Sequence, residues 1–123
     1  MKTLTLIRHA KSSWNHPDLP DRKRPLNKRG QRDAPDMGTR LQARGFMPDL
    51  ILSSPATRAM ITAEALSLKL GYDPNAIQIE EGIYGAGVPD LLRIIRGLND
   101  EFNSVALVGH NPTFTEISEW LTG

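Results

Sequence analysis

Two histidines, two arginines and a glutamate stand where this 123-residue chain could handle a phosphoryl group. Arg8 and His9 directly follow the segment TLTLI, and Arg58 lies shortly after Ser53-Ser54-Pro55. Glu81 closes a Glu-Glu pair, and His110 sits within Gly109-His110-Asn111-Pro112. An imidazole is a competent nucleophile toward phosphorus, and a second imidazole can donate to a non-bridging oxygen. The planar fork of arginine matches the oxygens of a phosphate. Helix N-termini expected at Pro55 and Pro112 add unpaired N–H groups and partial positive charge. These cationic groups supply the stabilisation that magnesium would otherwise give, so the chemistry calls for no metal and no cofactor. Histidines scattered at 9, 16 and 110, with no cysteine, offer no ligand spacing for zinc.

Taken singly, each residue has a plainer reading. Arg8-His9 is then a surface pair, Arg58 a solvated helix residue and Glu81 an exposed turn carboxylate. Gly109-His110-Asn111-Pro112 is then a turn with a capping asparagine, and His16 is a solvent-exposed loop residue. What separates the chemical reading from these is the joint placement of such residues at successive strand ends. In open α/β sheets, ligands bind just beyond those ends.

The elements follow from patterning. Thr3–Arg8 reads as a buried strand, followed by a polar loop broken by Pro17, Pro20 and Pro25. Asn27 caps a helix running to about Arg44, with Pro35 early in it and Gly45 ending it. Asp49–Ser53 is a second strand, and Ser54-Pro55 signals a helix start. That helix turns Ala56, Ala59, Met60, Ala63, Leu66 and Leu70 to one face. Ile77–Glu80 is a short strand, Pro89–Leu98 a short helix and Val105–Val108 a fourth strand. Asn111-Pro112 opens a last helix whose Phe114, Ile117 and Leu121 face inward. The alternation predicts an α/β fold: a three-layer α/β/α sandwich with a mostly parallel central sheet, one domain over residues 1–123. Gly123 follows the last helix closely, so either the architecture is minimal or a C-terminal strand is missing.

Composition narrows the classes. The chain is 39% hydrophobic and 24% charged, within the range of one modest globular domain. No apolar run approaches the ~18–20 residues of a membrane span, and MKTLTLIRHA lacks the features of a signal peptide. Zero cysteines exclude disulfide scaffolds and thiol nucleophiles, and a cytoplasmic location is the default. The net charge of +1 conceals +7 over residues 1–48 and −6 over residues 49–123. Eight basic residues lie between Arg22 and Arg44. No aromatic residues interleave them, which argues against nucleic acid. They read as a solvated face, with steering of an anionic substrate or acidic partner as the alternative. No signal for oligomeric state is present.

Five blocks in this sequence resemble the histidine phosphatase superfamily, the phosphoglycerate-mutase-like proteins. They are Arg8-His9-Ala10-Lys11-Ser12-Ser13-Trp14-Asn15, Pro25-Leu26-Asn27-Lys28-Arg29-Gly30, Ser53-Ser54-Pro55-Ala56-Thr57-Arg58-Ala59, Glu81 with Tyr84-Gly85, and Gly109-His110-Asn111-Pro112. Within the superfamily, the Arg-His-Ala-Lys-Ser opening and the lack of large insertions resemble the compact SixA-type phosphohistidine phosphatases. Alanine stands after His9 where the superfamily usually has glycine. The SixA-like proteins also continue beyond the last helix into another strand.

The resemblance implies that His9 attacks phosphorus and forms a phosphohistidine intermediate that water hydrolyses. It implies that Arg8, Arg58 and His110 hold the phosphoryl oxygens, that Asn15 adds a hydrogen bond, and that Glu81 protonates the leaving group. Asp90 is the fallback donor, though a first-turn helix role suits it better. His9 must be neutral to attack, and nearby arginines lower its pKa by like-charge repulsion. Two substrates are open: phosphohistidine on a phosphorelay protein of the histidine phosphotransfer type, or a small phosphomonoester. A mutase is disfavoured because the chain is short for a lid. A non-catalytic phosphate- or phosphoprotein-binding module is the alternative from another class. No nucleic-acid or membrane partner is expected.

Overall fold

A computed structural model describes residues 3–122; Gly123, on which the reading of the chain end rests, lies outside the described residues. In order, the elements are β1 (Thr3–Arg8), α1 (Lys28–Ala43), β2 (Leu50–Ser53), α2 (Thr57–Leu70), β3 (Gln78–Ile79), α3 (Val88–Arg96), β4 (Ser104–Gly109) and α4 (Thr113–Thr122). Single 3-10 turns occupy Asp21–Lys23, Pro74–Ala76 and Glu81–Ile83. No helix of the described residues is long and apolar enough to cross a membrane.

The four strands form one sheet in the order β1-β4-β2-β3, every pair parallel. Side chains alternate across a strand, so each central strand must find a partner layer for both faces. Ile51, Ala106 and Val108 pack with Ala56, Ala59, Ala63 and Leu66 of the α2 region. Leu50, Leu52, Val105 and Leu107 point the other way, onto Leu91 of α3 and Phe114 and Ile117 of α4. Two apolar clusters on opposite faces of one sheet make the three-layer α/β/α sandwich. Each fully buried Leu or Ile contributes roughly 1.5–3 kcal/mol. Helix α2 presents alanines to the sheet and packs along α1.

Several boundaries differ from the sequence expectation. The helix signalled by Ser54-Pro55 begins later, at Thr57, because the Ser54 hydroxyl accepts from the Ala56 N–H and holds Pro55 in a turn before the helix. The third strand is only Gln78–Ile79 and is exposed, as an edge strand pairing with β2 alone. Helix α1 runs unbroken through Pro35, with the Asn27 side chain accepting from the Gly30 N–H at 2.8 Å. Phe114 and Ile117 are buried as expected, but Leu121 is 46% exposed. It lies in the last turn of α4, beside a still more exposed Trp120 and clear of the apolar cluster that takes Phe114 and Ile117.

Chain order and strand order part company at β1 and β4. The loop leaving β1 leads to α1 and α2 on one face, whereas the loop leaving β4 leads to α4 on the other. Adjacent strands whose exits diverge in this way open a crevice at their carboxyl ends.

Candidate active site

Register places the two histidines side by side. Arg8 pairs with Gly109, and the His9 N–H donates to the Gly109 carbonyl at 3.0 Å, so His9 and His110 are the next residues outward on neighbouring strands. Their ring centroids lie 5.2 Å apart. Gly109 has no room for a side chain: a Cβ there would overlap the Phe114 ring and meet Ile83 at 2.9 Å. Close packing of α4 under the turn therefore requires glycine before His110.

The His9 Nδ1 lies 2.7 Å from the Ala10 carbonyl oxygen. A carbonyl only accepts, so Nδ1 carries the proton and Nε2 keeps its lone pair. Burial lowers the pKa of His9 below its usual 6.5, helped by Arg58, Arg8 and Arg24 and opposed by the bond to Ala10. The expected repulsion from arginines is present, but desolvation outweighs it.

His110 Nε2 lies 2.8 Å from the Ser54 Oγ, on the β2–α2 turn that the Ser54 N–H ties to the Val108 carbonyl. Ser54 is fully buried and its Oγ accepts from the Ala56 N–H; its buried hydroxyl proton also needs an acceptor, and among the described residues His110 Nε2 is the one in reach. The ring proton of His110 then sits on Nδ1, which is buried with no partner. Burial and Arg58 push the pKa of His110 down to about 4. Both imidazoles are neutral near pH 7, one offering a lone pair and the other an N–H.

Arg58, in the first turn of α2, is 6% exposed. Its Nη1 donates to the Asp21 main-chain carbonyl at 2.7 Å and its Nη2 to the Asp21 carboxylate at 3.1 Å. Arg24 is 8% exposed. Its Nη1 donates to the Ser12 Oγ, its Nη2 donates to the other Asp21 carboxylate oxygen at 3.2 Å, and its guanidinium lies 3.8 Å from the Trp14 ring centroid. The Nε atoms of both arginines are buried without partners. Unpaired buried donors cost stability, which makes these two atoms unusual in the fold. Arg8 lines a hollow of about 200 Å³ together with His9, Lys11, Trp14, Arg24 and Asn111.

Three residues singled out from the sequence have partners or surroundings of their own. Asn15 is exposed and lines a hollow with His16, Asn27 and Lys28. Glu81 is 66% exposed on its side chain, and both its oxygens accept from Arg22, at 2.7 and 2.8 Å. Asp90 caps α3 by accepting from the Gly87 N–H at 3.0 Å and pairs with Arg93. Sequence reasoning passed over Asp21 and Arg24. Arg24 lay inside the stretch read as a solvated face, yet it is buried. Its one local signal was its place directly before Pro25-Leu26. His16 is exposed, as expected. Among the described residues no cluster of three histidines and carboxylates is gathered that could hold a metal ion.

The chain has relatives among known proteins in both sequence and fold. The profile of the histidine phosphatase superfamily (branch 1) matches residues 4–84. An uncharacterized chloroplastic protein of Arabidopsis thaliana is 32% identical over 99% of the chain, which spans 60% of that protein. An uncharacterized protein of Mycobacterium tuberculosis is 35% identical over 91% of the chain and 67% of its own length. The chain thus covers only part of the length of its curated relatives. Among solved structures, a protein assigned as the phosphohistidine phosphatase SixA of Agrobacterium tumefaciens superposes with a TM-score of 0.89 at 36% identity, covering 98% of this chain and 76% of that one. The protein histidine phosphatase SixA in complex with tungstate shares the fold, with a TM-score of 0.83 at 20% identity over 94% of this chain and 73% of that one. The chain belongs to the histidine phosphatase superfamily, branch 1.

Proposed function

We propose that the chain is a phosphatase that works without a metal ion, through a phosphohistidine on His9, and that its substrate is phosphohistidine on a phosphorelay protein. The observation that carries this reading is the Nδ1–H of His9 locked on the Ala10 carbonyl, which leaves Nε2 as the only nucleophilic nitrogen. Nε2 attacks phosphorus while the bond to the leaving group breaks. Arg8, Arg58 and the His110 N–H take the charge gathering on the three equatorial oxygens. Water then attacks phosphorus, the P–Nε2 bond breaks, and inorganic phosphate leaves with His9 neutral again.

The choice of phosphohistidine rests on Glu81. An alkoxide leaving group, with a parent pKa of roughly 15, needs a positioned acid, whereas imidazole departs tolerably near neutrality. Glu81 would have to release Arg22 before it could donate. That favours the substrate with less need of an acid, and keeps a small phosphomonoester as the second reading. Likeness to proteins named as phosphohistidine phosphatases supports the same choice. A cytoplasmic location belongs to this reading and rests on composition. The test sets a phosphorylated histidine phosphotransfer protein against p-nitrophenyl phosphate and a panel of sugar, nucleotide and glycerate phosphates, with chelator and with vanadate. Turnover of the phosphohistidine protein that survives chelator and is blocked by vanadate is expected. Binding without turnover of any substrate would make the chain a phosphate-binding module. Loss on chelation, restored by magnesium or zinc, would end the metal-free mechanism.

A further inference from the structure

We propose that Asp21 is a positioning residue, whose carboxylate fixes the guanidinium groups of Arg24 and Arg58 for the incoming phosphoryl group. The inference rests on the phosphatase reading of the same pocket. Arginine side chains have many rotamers, and a site that stabilises developing charge works best when its donors are already in place. Arg58 comes from α2 and Arg24 from the loop after β1, so no shared element aligns them. Asp21 does. One carboxylate oxygen accepts from Arg24 at 3.2 Å, and the other accepts from Arg58 at 3.1 Å and from the Tyr84 hydroxyl at 2.7 Å. Those partners hold the Asp21 carboxyl down at a pKa of about 2, so the bridge is charged at every pH at which the chain would work.

A carboxylate between two arginines invites the opposite reading, that it occupies the phosphate position and competes. Two details argue for positioning. Arg58 also donates to the Asp21 main-chain carbonyl, a contact that a phosphate taking the carboxylate's place would leave standing. Asp21 engages only the Nη ends of both guanidinium groups and leaves both Nε–H groups without acceptors. Both guanidinium groups thus keep donors that Asp21 does not use.

The test compares the full chain with its Asp21→Asn and Asp21→Glu variants, all carrying Trp120→Phe so that Trp14 is the sole tryptophan. Vanadate affinity, kcat and KM for p-nitrophenyl phosphate, Trp14 emission and Tm are measured together. Positioning predicts that Asp21→Asn weakens vanadate binding about tenfold or more, shifts Trp14 emission as Arg24 leaves the ring, and leaves Tm nearly unchanged. Asp21→Glu recovers part of the affinity. Unchanged affinity in a folded Asp21→Asn variant overturns the proposal, and tighter binding overturns it in favour of competition. Should that variant fail to fold, Tyr84→Phe removes one hydrogen bond from the same carboxylate, and unchanged vanadate affinity there overturns the proposal equally. A starting protein that neither binds vanadate nor turns over substrate overturns the phosphatase reading itself, and the inference with it.

Discussion

The floor and the wall of the pocket are held in different ways. The floor, with His9, His110 and Ser54, stands on the ends of β1, β4 and β2, where ladder pairs such as Arg8 with Gly109 and Ser53 with Val108 set every position. The wall is the loop between β1 and α1, whose Asp21, Arg22 and Arg24 are held by side chains: Asp21 by Arg58 and Tyr84, and Arg22 by Glu81. Backbone ladders inside a buried sheet are insensitive to salt and tolerate little displacement. Half-exposed ion pairs are screened and individually weak. The floor therefore sets where the nucleophile points, and the wall sets the field it works in. Arg58 joins them, rising from the floor to grip the wall.

If this division is right, the largest loss comes from the floor. His9→Ala takes turnover to background while vanadate, measured by equilibrium binding, still binds through the arginines and His110. Near-normal turnover in His9→Ala would mean the nucleophile is elsewhere. Next is Arg58→Ala, which cuts both regions at once and costs on the order of 2–4 kcal/mol in binding and in kcat/KM. A loss in kcat alone would break the comparison, because it would mean Arg58 does not organise the wall.

Glu81→Gln separates the regions by leaving group. Effects on phosphohistidine and p-nitrophenyl phosphate should be small, with loss on alkyl phosphates limited to the ~10²–10⁴-fold of general acid catalysis. A flat loss across all substrates, measured as a Brønsted series, would mean that Glu81 acts only by holding Arg22 and not as a proton donor.

The pH profile reads the floor directly. His9 must be neutral to attack and its pKa lies below 6.5, so kcat/KM should stay high as pH falls through 6.5 and drop only below it. His110, at about 4 in the fold and near 6.5 unfolded, binds its proton more readily in the unfolded chain between those values. Stability should therefore rise with pH across that window, as urea denaturation at a series of pH values would show. The smallest effect belongs to the exposed basic face beyond the wall. Reversing Lys28, Arg32 and Arg40 should slow association with an acidic phosphoprotein at low salt and leave p-nitrophenyl phosphate rates alone. Equal losses on both substrates in stopped-flow assays would point to a damaged pocket.

The floor was legible in the sequence and the wall was not. His9 and His110 each end a run patterned as a buried strand, and the strand-end rule carries them to one rim without further information. Ser54 and Arg58 follow from the strand–turn–helix signal, even though the helix starts later than Pro55 suggests. Asp21 and Arg24 lie in a proline-broken loop without periodicity, so beyond its place before Pro25-Leu26 nothing local marks Arg24 as buried. Its burial comes from Ser12, Trp14 and Asp21 closing on it in three dimensions. Asn15, near His9 in sequence, lines a hollow with Asn27 and Lys28, a placement that nothing local foretells. Leu121 kept the helical period of Phe114 and Ile117, yet α4 has by then run clear of its apolar cluster.

The most direct test asks which nitrogen of which histidine carries the phosphoryl group. Rapid quenching during turnover, followed by peptide mapping and nitrogen–phosphorus NMR of the labelled histidine, identifies both residue and ring atom. The account predicts an alkali-stable, acid-labile phosphoryl group on Nε2 of His9, because Nδ1 is committed to the Ala10 carbonyl. A phosphoryl group on Nδ1, on His110, or on no residue during demonstrable turnover would contradict it.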